Sequence, residues 1–464
     1  MKRVALHNLG CKVNAYELDV MRQMLQENGY QIVTFDEAAD IYIVNTCTVT
    51  NIADRKSRQM LHRAKKCSPE AVVVAVGCYV QTGDTAQMDA CIDLAIGNNR
   101  KKELPALLEA FLKEREAGSV GAQAFVGDLS RPVPYEAMML TETSERTRAF
   151  IKIQGGCNAF CSYCIIPYAR GRVRSRKAED ICREAAALAR AGCREIVVTG
   201  IHISSYGMDF AKAEDGFVGD ARQAAHERGY LLRLLEELHK IEGIQRIRLG
   251  SLEPRIITQT FADRLRMLSK VCPHFHLSLQ SGCDATLKRM NRHYLAGEYY
   301  EKVNILRNAF DNPAITTDVI AGFPGETADE FAQTEAFLER VGFYEMHVFP
   351  YSRRQGTAAA VMPGQVADAE KSRRSHILLA LAKRQSRAYR ETFPGKDVTV
   401  LFEEPVTVNG VRYMTGYTGE YVKAALRTDR DLANRIVRGS VSGFLQDDML
   451  LIETAPESLK FENK

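Results

Sequence analysis

Tryptophan is absent from the 464 residues, and two other scarcities say more. No apolar run approaches the roughly 18 residues that a bilayer-spanning helix needs, and the stretch at 71–77 has only strand length. The opening MKRVALHNLG meets a polar His-Asn pair too early to supply the apolar core of a signal peptide. A cytoplasmic protein without membrane contact is therefore expected. The formal charge of +4 is small, and a scattered surplus of that size says little about nucleic acid. Hydrophobic residues at 45% and charged residues at 26% are ordinary for a globular chain and argue against disorder or a fibre.

Cysteine is the exception, at 12 residues. A reducing compartment disfavours a disulfide framework, so organised spacing points to metal ligation or catalysis. Residues 4–6, 41–44 and 72–76 read as strands of an open parallel α/β domain, with Leu18, Met21 and Leu25 marking one face of a helix between them. Cys11, Cys47 and Cys78 each follow one of these strands. Ligands of open α/β sheets gather outside the carboxyl ends of the strands, so the three are predicted to converge. A second group occupies one loop after a strand, Cys157-Asn-Ala-Phe-Cys161-Ser-Tyr-Cys164. Zinc normally takes four closed ligands, and no fourth Cys or His lies nearby. A [4Fe–4S] cluster fits better: three thiolates leave one iron open, a vacancy suited to the amino and carboxylate groups of S-adenosylmethionine.

Between about residues 116 and 147, glycines and prolines without sustained period read as a linker. Strands are then expected at 149–154, 195–201, 246–252, 274–280, 315–321 and 345–351. Six β/α units in series suggest an incomplete TIM-type barrel with its chemistry at the C-terminal strand ends. Residues 206–230 read as a polar surface insertion without chemistry. A helix over 367–393 and short strands at 398–402, 411–417, 421–426, 436–441 and 449–452 suggest a small terminal β-barrel, a fold that often binds oligonucleotides.

The central loop resembles the motif of the radical S-adenosylmethionine superfamily, Cys-x-x-x-Cys-x-aromatic-Cys, with Tyr163 in the aromatic place. Read with Leu9-Gly10-Cys11-Lys12-Val13-Asn14, Asn45-Thr46-Cys47-Thr48-Val49-Thr50 and Gly77-Cys78-Tyr79, nearly the whole chain is similar to the methylthiotransferase family. The resemblance implies an N-terminal domain at 1–114, a linker at 115–142, a radical core at 143–373, and a TRAM-like RNA-binding domain with its leading helix at 374–458. It implies two [4Fe–4S] clusters, an auxiliary one on Cys11, Cys47 and Cys78 and the catalytic one on Cys157, Cys161 and Cys164. In that family one S-adenosylmethionine supplies the methyl group and a second generates the 5′-deoxyadenosyl radical that removes hydrogen from the substrate. Tyr163, Thr199, Gly200, Ile201, His202, Glu253, Asp318 and Gly322 would line the S-adenosylmethionine. An electron donor such as a flavodoxin or ferredoxin and a sulfur source are the implied partners beside the tRNA anticodon loop.

The wording of Gly10–Asn14, Asn45–Thr50, Cys164-Ile-Ile-Pro-Tyr-Ala-Arg-Gly171 and His347-Val-Phe-Pro-Tyr-Ser-Arg-Arg354 resembles the branch that adds a methylthio group to C2 of N6-threonylcarbamoyladenosine at tRNA position 37. Alternatives are the isopentenyladenosine branch, the ribosomal-protein aspartate branch, or a non-enzymatic iron–sulfur protein that binds RNA or senses redox state. Arg353 and Arg354 each read as an ordinary surface arginine or as a bidentate partner for a threonyl carboxylate. Tyr413, Tyr417 and Tyr421 are stacking groups for RNA or parts of a barrel core. The basic runs 170–177 and 371–390 are RNA contacts or solvated faces. Cys67, Cys91, Cys182, Cys193, Cys272 and Cys283 read as small buried hydrophobes.

Overall fold

The structure is a computed structural model describing residues 1–118, 121–142, 147–213, 217 and 219–455. Residues 119–120 and 143–146 of the expected linker and central core, 214–216 and 218 of the insertion, and 456–458 of the terminal domain lie outside the described residues. Among the described residues no helix is long and apolar enough to cross a membrane.

The first sheet has six parallel strands, in the order Gln31–Val33, Arg3–Asn8, Ile41–Thr46, Val72–Gly77, Leu94–Ile96 and Gln123–Phe125. The strands Ile41–Thr46 and Val72–Gly77 are buried at every position, as a parallel sheet covered on both faces requires. Ile41 and Ile43 face the helices Lys12–Glu27 and Leu104–Glu116, whereas Tyr42 and Val44 face Asn51–Cys67. Within the segment read as linker, residues 123–125 form the last edge strand. Three residues are too few for a period to register in the sequence.

Six parallel strands make the partial barrel: Arg148–Gly155, Glu195–Gly200, Arg246–Leu249, His274–His276, Ala314–Ala321 and Glu345–Pro350. Isolated bridges Ile247↔Val271 and Leu252↔Leu277 join its two sheets. The fourth strand is shorter than the expected 274–280, because the chain leaves the ladder and reaches Gln280 in a left-handed conformation, φ 75°. Helix Lys12–Glu27 is apolar on two sides: Leu18, Met21 and Leu25 serve its own sheet, while Tyr16 and Val20 enter the barrel's core.

The 23-residue helix Asp368–Arg390 leads to a closed five-stranded barrel. Its first hairpin turns at Asn409-Gly410, both at positive φ, the requirement of a type I′ turn. A register shift between Phe402 and Glu404 bends the long first strand far enough for closure.

Candidate active site

Both sets of three cysteines gather where glycine lets the backbone turn sharply. Gly10 and Gly77 precede Cys11 and Cys78 at φ 100° and 102°. A Cβ on Gly10 would stand 2.8 Å from the Cys47 Sγ, so the first and second loops touch there. Asn14 donates to Leu9 O at 2.7 Å and Thr46 O at 3.0 Å, tying the same loops together. The Cys78 sulfur accepts from Asn98 Nδ2 at 3.4 Å and Arg170 Nε at 3.3 Å. Burial, reinforced by Cys78 and Cys11, pushes the Cys47 thiol up to about 11.

In the central loop, Gly156 at φ 70° admits no side chain, since a Cβ would lie 1.9 Å from Arg172 O. Ala159 N–H donates to the Cys157 sulfur at 3.4 Å and Arg292 Nη1 to the Cys161 sulfur at 3.2 Å. Burial pushes Cys157 up to about 11 and raises Cys164 further, so these thiols stay protonated near neutrality unless a soft cation replaces the proton. Two sets of three thiols, each with N–H donors aimed at sulfur, fit the donor set of a cluster that keeps one iron open.

A cavity of about 470 Å³ runs between the two sets, with Cys157, Cys161 and Cys164 on one side and Cys11 and Thr50 on the other. Its remaining lining includes Tyr163, Ile201, His202, Glu253, Arg292 and Asp318. Thr199, Gly200 and Gly322 lie outside it. Thr199 is buried within its strand, Gly200 packs on Gln154 and Ile203, and Gly322 lies against Lys371 with its N–H donated to Glu326. Successive residues of a strand face opposite ways, so Asp318 and Ile320 reach the wall from inside the fifth strand, and Ile201 and His202 reach it just beyond the second.

Glu253 binds Arg222 at 2.9 Å and Arg255 at 2.7 Å. Burial opposes its ionisation, yet surrounding cations, Arg222, Arg255 and Arg292 among them, hold it at about 2. Arg222 belongs to the segment read as an inert insertion, and is buried. Asp318 accepts from His276 at 3.2 Å. Arg292, Gln280 and Phe349 were not singled out in the sequence. Positive φ at Gln280 leaves no composition signal, and Arg292 is one of many scattered arginines.

Other expectations move. Arg170, Arg174 and Arg176 of the first basic run are buried; Arg170 binds Glu17 and Arg176 pairs with Glu184. In the second run Arg373, Arg384 and Arg387 are paired with Glu370, Glu339 and Glu391. Tyr417 and Tyr421 are half-buried, stack on each other at 4.6 Å and pack under Arg148 against the barrel. Arg354 donates to Asp54 at 2.5 Å, Thr48 at 2.7 Å and Asn51 at 2.8 Å, latching the end of the last barrel strand onto the Cys47 loop. Arg353 donates to Ala360 O at 2.7 Å. Cys67 is exposed and Cys182 half-buried, against the expectation of burial; Cys283 is buried beside Gln333, away from the cavity.

Comparison with known proteins agrees with this geometry. Residues 3–97 match an uncharacterized protein family, UPF0004, and 151–338 match the radical SAM superfamily. The chain is 37% identical to the threonylcarbamoyladenosine tRNA methylthiotransferase MtaB of Bacillus subtilis, over 94% of this chain and 93% of that one. The chain belongs to the radical S-adenosylmethionine methylthiotransferase family. An Aquifex aeolicus protein of the same name is 38% identical over 87% of this chain and 93% of its own. A Moorella thermoacetica tRNA-2-methylthio-N(6)-dimethylallyladenosine synthase is 34% identical, over 92% and 93%. Among solved structures, the radical S-adenosylmethionine methyltransferase TsrM of Kitasatospora setae shares the fold, with TM-score 0.56, 17% identity, and 78% and 77% of the two chains covered. As a member of its family this methylthiotransferase uses S-adenosylmethionine and two [4Fe–4S] clusters.

Proposed function

We propose that this methylthiotransferase adds a methylthio group to C2 of N6-threonylcarbamoyladenosine at position 37 of tRNA, with Cys157, Cys161 and Cys164 holding the radical cluster and Cys11, Cys47 and Cys78 the auxiliary one. The observation that carries the reading is a cavity lined by Cys157, Cys161 and Cys164 and, across from them, by Cys11 of the N-terminal set. The substrate rests on the names of the Bacillus subtilis and Aquifex aeolicus relatives and on the motif wording.

S-adenosylmethionine bound at the open iron supplies the radical that removes hydrogen from an adenine C2, a position no ordinary base activates. The chain's own groups bind and orient. Ionised Glu253 offers an acceptor for the ammonium and hydroxyl groups of S-adenosylmethionine, and Arg292 offers donors to its carboxylate. Phe349, 46% exposed on the cavity wall, offers a face for a splayed base, and Tyr351 and Ile320 keep that wall apolar. A low-potential donor of the flavodoxin or ferredoxin type and a sulfur source complete the reaction, and a tRNA substrate fits a cytoplasmic site of action.

Nucleoside mass spectrometry of tRNA from a deletion strain tests the substrate. Loss of the methylthio derivative of threonylcarbamoyladenosine is expected; loss of the dimethylallyl derivative instead would assign the enzyme to the Moorella-type activity. A Cys11→Ala, Cys47→Ala, Cys78→Ala variant with an unchanged far-ultraviolet spectrum is expected to release 5′-deoxyadenosine yet form no methylthio product. Normal methylthiolation by that variant would refute the auxiliary assignment.

A further inference from the structure

Arg170 belongs to the radical barrel's side of the molecule but spends its hydrogen bonds on the N-terminal sheet. Its Nε–H points at the Cys78 sulfur at 3.3 Å, Nη1 meets Glu17 at 2.8 Å, and Nη2 meets Asn14 at 2.5 Å. Asn98 reinforces the arrangement, with one amide N–H on the Cys78 sulfur and one on Ala169 O at 2.7 Å, next to Arg170 itself. Arg170 is 3% exposed, so these contacts act in a low-dielectric interior.

The surrounding charges do not balance. Arg170, Lys101, Lys152 and Arg174 are buried together, and the buried carboxylates facing them are Glu17 and Glu136. Glu17 is shared by Lys101, by Lys152 at 2.8 Å and by Arg170. Uncompensated buried cations are costly, so this cluster is built for a further anion at its edge. The group at that edge is the Cys78 sulfur. An iron–sulfur cluster held by three thiolates carries negative charge there, and more of it after reduction.

We propose that Arg170 is a positioning residue for the auxiliary cluster: its N–H on the Cys78 sulfur, backed by the buried cations, raises that cluster's reduction potential. The inference rests on the assignment of Cys78 as a ligand made above. Hydrogen bonds to sulfur and net local charge are recognised determinants of cluster potential, and both act here in the same direction. The reaction gives this a purpose. Exchanging an aromatic C–H for C–SCH3, with methylthiolate as the incoming group, is a two-electron oxidation. Removal of the hydrogen atom leaves an in-plane radical at C2 with the aromatic system intact, and the second electron leaves as the carbon–sulfur bond forms. Held by Cys11, Cys47 and Cys78, an oxidised auxiliary [4Fe–4S] cluster would accept that electron, and a higher potential would favour its reduction.

The test uses the full chain with Cys157, Cys161 and Cys164 all changed to Ala, so that the auxiliary cluster alone is read. Potentiometric titration followed by electron paramagnetic resonance compares this background with added Arg170→Met or Arg170→Lys. With about four irons retained, Arg170→Met is expected to lower the reduced-to-oxidised ratio at fixed potential roughly tenfold, about 59 mV for one electron. Arg170→Lys keeps the charge and loses the fixed N–H, so a smaller shift of the same sign is expected. An unchanged potential in both variants with iron retained overturns the proposal. If Arg170→Met fails to hold iron, the Lys variant decides alone, and an unchanged potential there overturns it equally. Absence of iron from the parent background would instead overturn the ligand assignment itself.

Discussion

Two buried glutamates fasten the flanking parts of the molecule to the barrel. Glu17 reaches from the first sheet's helix to Arg170 and Lys152 of the barrel side and to Lys101 of its own. Glu195, on the second barrel strand, gathers Arg148 at 2.9 Å and Arg248 at 3.0 Å, with Arg246 at 3.8 Å. Those arginines continue into the terminal barrel, where Arg246 donates to Tyr417 O at 2.8 Å and Arg248 to Gly419 O at 2.9 Å. In both places burial opposes ionisation and the cations outweigh it, holding Glu195 at about 2 and Glu17 well below the usual carboxylate range. The difference is where the arginines end. At Glu195 they finish on backbone carbonyls and a tyrosine pair, a closed arrangement that serves docking. At Glu17 one of them finishes on a sulfur, so the same architecture is open toward chemistry.

Glu17→Gln is the strongest way to break the pair, because it leaves three buried cations without their carboxylate. A loss of about 3–5 kcal/mol is expected in denaturant unfolding of the N-terminal sheet, together with an altered spectrum of the auxiliary cluster. Glu195→Gln is expected to cost a similar amount or somewhat less, because Arg148 keeps Glu403 at 2.7 Å, and to leave that spectrum unchanged. Limited proteolysis of the terminal barrel reads the lost docking. The same carboxylate has a pH signature. Its folded value, about 2, lies below the ordinary 4.5, so its stabilisation is complete above about pH 4.5 and is lost as pH falls through about 2. Between those limits the unfolding midpoint of the parent protein is expected to fall more steeply than that of the Gln variant.

Arg354→Ala removes three hydrogen bonds, one to a carboxylate, and about 1.5–3 kcal/mol of docking between the Cys47 loop and the barrel end is expected to go with them. Faster hydrogen exchange at residues 47–54 would register it. Tyr421→Leu is the mildest change. It removes a ring lying 4.5 Å from the Arg248 guanidinium and is expected to lower stability by about 1 kcal/mol, without effect on either cluster.

Much of this was legible in the chain itself. Most strands, the placement of Cys11, Cys47, Cys78 and Cys157 just past strand ends, and the hairpins of the terminal barrel all carry local signals in the sequence. What was not legible depends on residues far apart in sequence. Arg170 sits in a run of alternating basic residues that reads as an RNA contact or a solvated face, and only partners far away in sequence, Asn14, Glu17 and Cys78, explain its burial. Tyr417 and Tyr421 read equally as stacking groups or barrel core because nothing in their own segment reveals Arg148 and Arg248 beside them. Arg222 lies in a polar stretch whose period is too weak to show a buried face, and its partner Glu253 is 31 residues on. Edge strands of three residues are simply too short to differ from loops.

The bond from Arg170 to Cys78 also has a schedule. Arg170 follows Cys78 by 92 residues, which a ribosome takes roughly 5–20 s to add. For that interval Cys11, Cys47 and Cys78 are all present, but the cation that faces Cys78 is not. Arg354, which latches the Cys47 loop, arrives 300 residues after its partner Asp54. The surroundings of Cys11, Cys47 and Cys78 are thus completed only when the residues just past the sixth strand of the partial barrel have left the ribosome.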